Sequence, residues 1–440
     1  MRDLLRNRDF RLLFAGQTLS MFGDMAMLLV LAMWAKDLTG SNGIAGSVFA
    51  ALAVPSLLAP LAGVVIDRFR RRTVMIVTDL ATAAVVLLLL LVDGREDLWL
   101  LYVVAFLYGA SLVAFSSARS ALLPAMVDEE LLGQANGSLG TGREALRLVA
   151  PLAGAALYAG FGGPAVAILD ATTFLVSAAA LLALRVHEPA PEPHEGSFTV
   201  EAAAGGRHLL GDPVLRTTVV VTVICMLALG ISESVYFAIV DEGLGRPVEF
   251  VGVLSAVQGV GAILAGVAIT GIIRRTGELR PIAWGLASLA IGVALTTTGS
   301  LLPVAVGVLL FGAGLPVLIV CLTTAIHRRT ATGLQGRAFT AFELFAGVPQ
   351  LLSILGGAVA VTLLDYRIPL AVMGAGLAVA GVYSWLRLRE EVPPAAAAAG
   401  TGESVLPDPA GIDAHLPLGA DVVQQAPVVG HQDEGPVVRP

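Results

Sequence analysis

The chain is built from long apolar runs separated by short polar or charged segments. A hydrocarbon layer roughly 30 Å thick needs about 20 apolar residues in a helix rising 1.5 Å per residue. Runs of that kind number twelve: Leu12–Trp34, Ala45–Val65, Thr73–Val92, Leu98–Ala118, Ala135–Leu157, Ala165–Leu184, Thr217–Ile239, Val251–Ile273, Pro281–Thr298, Pro303–Ile326, Ala338–Leu364 and Pro369–Leu386. The basic residues between them are unevenly placed. Twenty lie in the N-terminal segment and on its side of the membrane, against Lys36, Arg95, Arg246 and Arg367 on the other. Lys and Arg mark the cytoplasmic side, so both termini are expected in the cytoplasm of a multi-pass protein of the cell membrane.

The longest internal connection, His187–Arg216, is rich in Pro, Glu, Gly and Ala and divides six runs from six. The expected fold is therefore an all-α membrane protein with twelve transmembrane helices in two six-helix half-bundles. Residues 1–186 form the N-terminal half, 187–216 a cytoplasmic linker, 217–388 the C-terminal half and 389–440 a disordered cytoplasmic tail. A shift of 203 residues tests whether the halves are repeats. Ala62-Gly63-Val64 falls on Ala265-Gly266-Val267, Arg71-Arg72-Thr73 on Arg274-Arg275-Thr276, and Gly133-Gln134-Ala135 on Gly336-Arg337-Ala338.

Composition supports the same class. With 56% hydrophobic and 14% charged residues, the 440-residue chain is far from the soluble average. The net charge of −7 sits in the tail, where eight acids face one Arg from Glu390 onward. No basic domain is left for nucleic acid. Cys225 and Cys321 lie in apolar runs and read as small buried hydrophobes, so no disulfide and no metal site is inferred. Neither a nucleophile elbow nor a phosphate loop accompanies the spans, which implies no cofactor and no enzyme, with energy drawn from a gradient.

Between the second and third runs, Gly63, Asp67, Arg68, Arg71 and Arg72 form Gly-x-x-x-Asp-Arg-x-x-Arg-Arg. This resembles the corresponding loop of major facilitator superfamily transporters. Asn7-Arg8-Asp9-Phe10-Arg11-Leu12-Leu13, Gly16-Gln17, Gly23-Asp24, Ser117-Ala118-Arg119, Leu123-Pro124 and Ala135-Asn136 look like the macrolide-efflux and siderophore-exporter branch. Gly137, Pro151 and Gly154 match in part the span-5 motif of family antiporters, from which Leu146, Ala150 and Ala155 depart. The resemblance implies a cytoplasmic gate in which Asp67 braces the start of span 11 at Gly336-Arg337-Ala338. It also implies a central cavity lined by spans 1, 4, 7 and 10.

Ionisable residues inside spans are costly and hence informative. Asp24 lies near the midplane of span 1, where a lone carboxylate exchanges protons readily. Gln17 lies two turns earlier on roughly the same face, and Glu233 in span 7 is the second candidate for the proton and substrate cavity. Span 5 carries Arg143, Glu144 and Arg147; Glu144 suits Arg147, leaving an Arg for Asp24 or Asp170. Asp79 and Glu343 lie near inner helix ends, where pairing with the loop arginines is expected, and Arg119, at the inner end of span 4, either snorkels to the headgroups or meets Asp79. By resemblance, the function is proton-driven export of a small amphipathic compound such as a drug, macrolide or siderophore. The protein would be a monomer in the lipid bilayer, with protons and the cargo as its other partners. The alternatives are a proton-coupled uptake symporter and a non-transporting sensor or scaffold.

Overall fold

A computed structural model describes residues 4, 6–58, 68–186, 188, 198–331 and 334–388. Among these residues there is no strand, as expected where helices alone satisfy every backbone group within hydrocarbon. The helices are α1 (Arg8–Thr39), α2 (Asn42–Ala53, continued by a 3₁₀ segment Val54–Leu58), α3 (Arg71–Leu87), α4 (Leu98–Leu122), α5 (Glu129–Leu182), α6 (Phe198–Gly211), α7 (Pro213–Ala238), α8 (Phe250–Thr276), α9 (Arg280–Thr296), α10 (Leu301–Arg329), α11 (Gln335–Leu363) and α12 (Arg367–Leu388). Nine helical stretches among the described residues are long and apolar enough to cross a membrane, with Asn42–Leu57 and Arg280–Thr296 shorter. Outward-facing side chains suit lipid: Val267 is 81% exposed and Leu302 76%.

Two features depart from the expected outline. The fifth and sixth runs form the single helix α5, broken only at Gly162, whose φ of 75° is a conformation natural to glycine. Gly162 divides α5 into a first arm and a second arm. The linker also contains a helix, α6, which packs on α11. Gly205 sits directly against the Arg337 carbonyl, His208 meets the Thr330 hydroxyl at 3.2 Å, and Asp212 caps α7 while reaching Arg329 at 3.9 Å. The flank of α11 that was expected to meet the loop acid is thus covered in part by α6. Gly63 and Asp67 themselves lie outside the described residues, as do 389–440.

Small residues set how close the helices come, as membrane packing requires when lipid is as apolar as Leu. On α1, Gly16 and Gly23 are seven residues apart on one face and meet Ala180 and Asp170 on the second arm of α5. Gly154 on the first arm meets Ala26 of α1. Glycines bring α1–α5 and α7–α12 into close contact at several points. Gly46 abuts Ser234, Gly43 the Ala358 carbonyl, Gly252 Ala155, and Gly259 Leu148. Toward the arginine-rich end, Gly133, Gly137, Gly140, Gly266, Gly271 and Gly336 have no neighbour within 4 Å of where a side chain would begin.

Candidate functional site

A cavity of about 300 Å³ lies among α1, α3, α4 and α5. Its position follows from the glycine face of α1. Gly16 and Gly23 turn toward the second arm of α5, so their successors Gln17 and Asp24, one residue or about 100° further round, face the cavity. Asp79 and Thr82 enter from α3, Tyr108, Ser111 and Arg119 from α4, and Arg143 from the first arm of α5. Met21, Met25, Leu28, Leu112, Phe115 and Phe174 supply apolar walls.

Tyr108 is fully buried, its ring edge-on to Phe174 at 5.8 Å between centroids. Its hydroxyl lies 2.7 Å from Oδ1 of Asp24 and 2.9 Å from Oδ2 of Asp170. A phenol has one proton, so Tyr108 makes at most one full donation, and a second full hydrogen bond at its oxygen requires a proton from a carboxyl. Asp170 is fully buried, and its Oδ1 has no hydrogen-bond partner among the described residues. Asp79 is also buried, beside Ser177, with its Oδ2 unpartnered; Oε1 of Gln17 is in the same position.

The expected charge network takes a different form. Asp24 and Asp170 were the acids available to an arginine of span 5; instead both meet Tyr108, which sequence reasoning passed over as one aromatic in an apolar run. Arg143 lies in the cavity near the like-charged Arg119, and among the described residues it has no ion-pair partner. Arg147 lies within electrostatic reach of Glu233 of α7. The side chain of Glu144 lies outside the described part. Glu233 does not line this cavity. Asp79 and Arg119 share the cavity wall, but no ion pair joins them among the described residues, and Glu343 is exposed without one.

The loop arginines separate into roles. Arg72 donates from Nε and Nη2 to the Leu181 and Leu182 carbonyls, each at 2.8 Å, and so caps the end of α5. Arg8 donates to the next carbonyl, Ala183, at 3.2 Å, and Asp9 accepts from the Arg185 amide. Arg71 is half-buried, while Arg68 and Arg337 are exposed. In the antiporter-like stretch, Gly154 and Pro151 are packing positions against α1 and α8, and Gly137 faces open space.

At the opposite end, a polar cluster joins the two sets of helices. Lys36, the sole lysine of the chain, bonds Asp241 at 2.5 Å and also Asn42. Asn42 in turn donates to Glu242 at 2.9 Å, and Tyr158 donates to Asp37 at 2.6 Å. Asp241 and Glu242 stand on a π-helical turn, Ile239–Gly243, that follows α7. Lys36 is 8% exposed, so its ammonium needs these partners.

Comparison with known proteins agrees with this architecture. The backbone superposes on the crystal structure of a bacterial homologue of the iron transporter ferroportin in its inward-facing state with a TM-score of 0.68, at 19% identity over 86% of this chain and 98% of that one. For the outward-facing state of the homologue the TM-score is 0.58, at 18% identity over 87% and 99%. The sequence is 26% identical to the uncharacterized MFS-type transporter YfiS of Bacillus subtilis (strain 168) over 87% of this chain and 94% of the relative. It is 29% identical to the multidrug efflux pump Tap of Mycobacterium tuberculosis (strain ATCC 25618 / H37Rv) over 77% and 83%. Macrolide efflux protein A of Streptococcus pyogenes matches over a shorter stretch, 24% identical across 40% of this chain and 44% of that protein. Residues 13–353 match the sequence model of the Major Facilitator Superfamily. The chain is a membrane transporter belonging to the Major Facilitator Superfamily.

Proposed function

We propose that the protein is a proton-coupled exporter of small amphipathic compounds, working by alternating access with Asp24 as the exchanging carboxylate. The observation that carries this reading is the cavity itself: Asp24 stands in its wall among Met, Leu and Phe side chains, with Tyr108 in hydrogen-bond contact. A carboxylate there can hold either a proton or a cargo, which is the minimum that exchange requires. The apolar wall suits an amphipathic compound, and the relatives named as efflux pumps support the outward direction.

The architecture proposed is twelve spans in two six-helix halves, residues 1–186 and 217–388, joined by the linker 187–216. The two arms of α5, counted separately, and the shorter apolar helices α2 and α9 bring the nine long stretches to that number. Both termini and the Arg-rich loops lie in the cytoplasm on this reading. The conformation is then inward-open. Support comes from the packed glycines and the Lys36 cluster at the outer end, the unfilled glycine faces at the inner end, and the closer superposition on the inward-facing homologue.

Inverted membrane vesicles test the direction and the coupling. With ethidium and a macrolide as probes, export by antiport predicts accumulation inside energised vesicles, lost when the pH gradient is collapsed. Accumulation that survives this collapse removes proton coupling. Accumulation only in right-side-out vesicles points instead to uptake.

A further inference from the structure

We propose that Asp170 is a permanently protonated acid whose role is to hold the Tyr108 hydroxyl as a hydrogen-bond donor toward Asp24. The proposal rests on the reading of Asp24 as the exchange site and assigns the residue behind it. Three geometric facts lead there. Tyr108 sits between two carboxyl oxygens with a single proton of its own. Asp170 is fully buried while Asp24 faces the cavity, so of the two it is Asp170 for which a charge lacks solvation. Finally, Oδ1 of Asp170 is packed against Gly23 and accepts no hydrogen bond among the described residues: the Thr173 hydroxyl stands beside the carboxyl, but its bond goes to the Asp170 backbone carbonyl.

A neutral acid fits every one of these contacts. Oδ2–H of Asp170 donates to the Tyr108 oxygen, Tyr108 donates its own proton to Oδ1 of Asp24, and the orphaned Oδ1 is a carbonyl oxygen rather than part of an anion. If Asp170 were ionised, it would compete for the Tyr108 proton, and Asp24 would face a phenol lone pair. The chain of donors is therefore polarised in one direction, toward the cavity. It favours the ionised form of Asp24 once its proton has left, and no proton need travel through Tyr108. Other charged groups facing the trio are Asp79 from α3 and, along the same cavity, Arg119 from α4 and Arg143 from the first arm of α5. None of these donates to Asp170 among the described residues. Gly23 is part of the device: any larger side chain at that position would collide with Asp170 and push it off Tyr108.

The reading makes Asp170→Asn the conservative change, because an amide N–H replaces the acid O–H as the donor to Tyr108. Infrared absorption spectra of the lipid-reconstituted protein, recorded without cargo, should show a protonated-carboxyl band that persists from pH 6 to about 9. Asp170→Asn should remove it, Tyr108→Phe should shift its frequency, and Asp24→Asn should leave it in place. In ethidium transport, Asp170→Asn should keep coupling within about twofold of wild type. Tyr108→Phe and Asp170→Leu should move the pH dependence upward by about one unit, the effect of losing a hydrogen bond to a charged group. The proposal is overturned if no band responds to Asp170→Asn, or if that variant loses coupling as fully as Asp24→Asn, which would make Asp170 an exchanging site. A pH-dependent transport that survives Asp24→Asn would instead defeat the exchange reading and leave the infrared result standing.

Discussion

Tyr108 on α4 and Phe311 on α10 stand 203 residues apart, at the same register of helices that begin at Leu98 and Leu301. The same step takes Asp24 to Leu227, Asp170 to Met373 and Arg143 to Ala346. It also takes the break at Gly162 to Asp365, between α11 and α12. The framework repeats, but the chemistry does not. In α7–α12, the second cavity, about 140 Å³, is lined by residues such as Ala265, Trp284, Ser288 and Val317, none of them charged. On the proposed reading, one region holds the proton and the ligand, and the other closes against it. A transporter needs only one exchanging carboxylate if the opposing half supplies a surface with two packings.

The contrast can be broken first at Asp24. Asp24→Asn should lower gradient-driven ethidium transport on the order of 100-fold, as loss of a proton-exchanging group does, whereas Leu227→Ala should leave it within about twofold. Vesicle uptake at matched protein levels checks both. A smaller effect is expected where the two regions close. Gly46→Ala places a methyl into Ser234 and should shift the population toward outward-open about tenfold, since overpacking of this kind costs 1–3 kcal/mol. Gly266→Ala, with no neighbour to meet, should not. Distances between spin labels at the Thr39 end of α1 and the Ala238 end of α7 report the shift.

The Lys36 cluster should matter less than the glycine contacts. The Asp241 side chain is 50% exposed, and half-exposed pairs are worth about 0.2–1 kcal/mol. Lys36→Met should move the same distance distribution by about two- to fivefold in population, and the exchange Lys36→Asp with Asp241→Lys should restore part of it. Smallest in its functional effect is Arg72→Gln. Loss of its two bonds to the end of α5 should lower the unfolding temperature, by a stability of about 1 kcal/mol, without moving the pH dependence of transport. A shift in that pH dependence would mean that the loop reaches the cavity.

The all-helical membrane class was legible because a membrane permits little besides long apolar helices, and Asp24 stood out because a carboxylate is costly there. The superfamily was legible from the loop arginines and the opening of α1. Tyr108 was not, since its partners are 84 and 62 residues away on other helices and a tyrosine in an apolar run looks like core. Lys36 counted only as a charge on the outer side, because Asp241 is 205 residues distant. The linker helix α6 was hidden by its Ala and Gly content; its docking depends on the absence of a side chain at Gly205. Arg72 entered as part of a gate, and its bonds to the Leu181 and Leu182 carbonyls depend on where α5 happens to end. In each case the missing information was a partner brought close by packing rather than by sequence.

Proton release on cargo binding compares the two regions in one experiment. Purified protein in weakly buffered detergent solution, mixed with ethidium or a macrolide in the presence of a pH dye, should release protons when wild type binds the probe. The release should vanish in Asp24→Asn and persist in Glu233→Gln, whose carboxylate lies on α7 outside the cavity. Release that survives Asp24→Asn and disappears in Glu233→Gln would place the exchange in the C-terminal helices and contradict the division of labour drawn from the cavity.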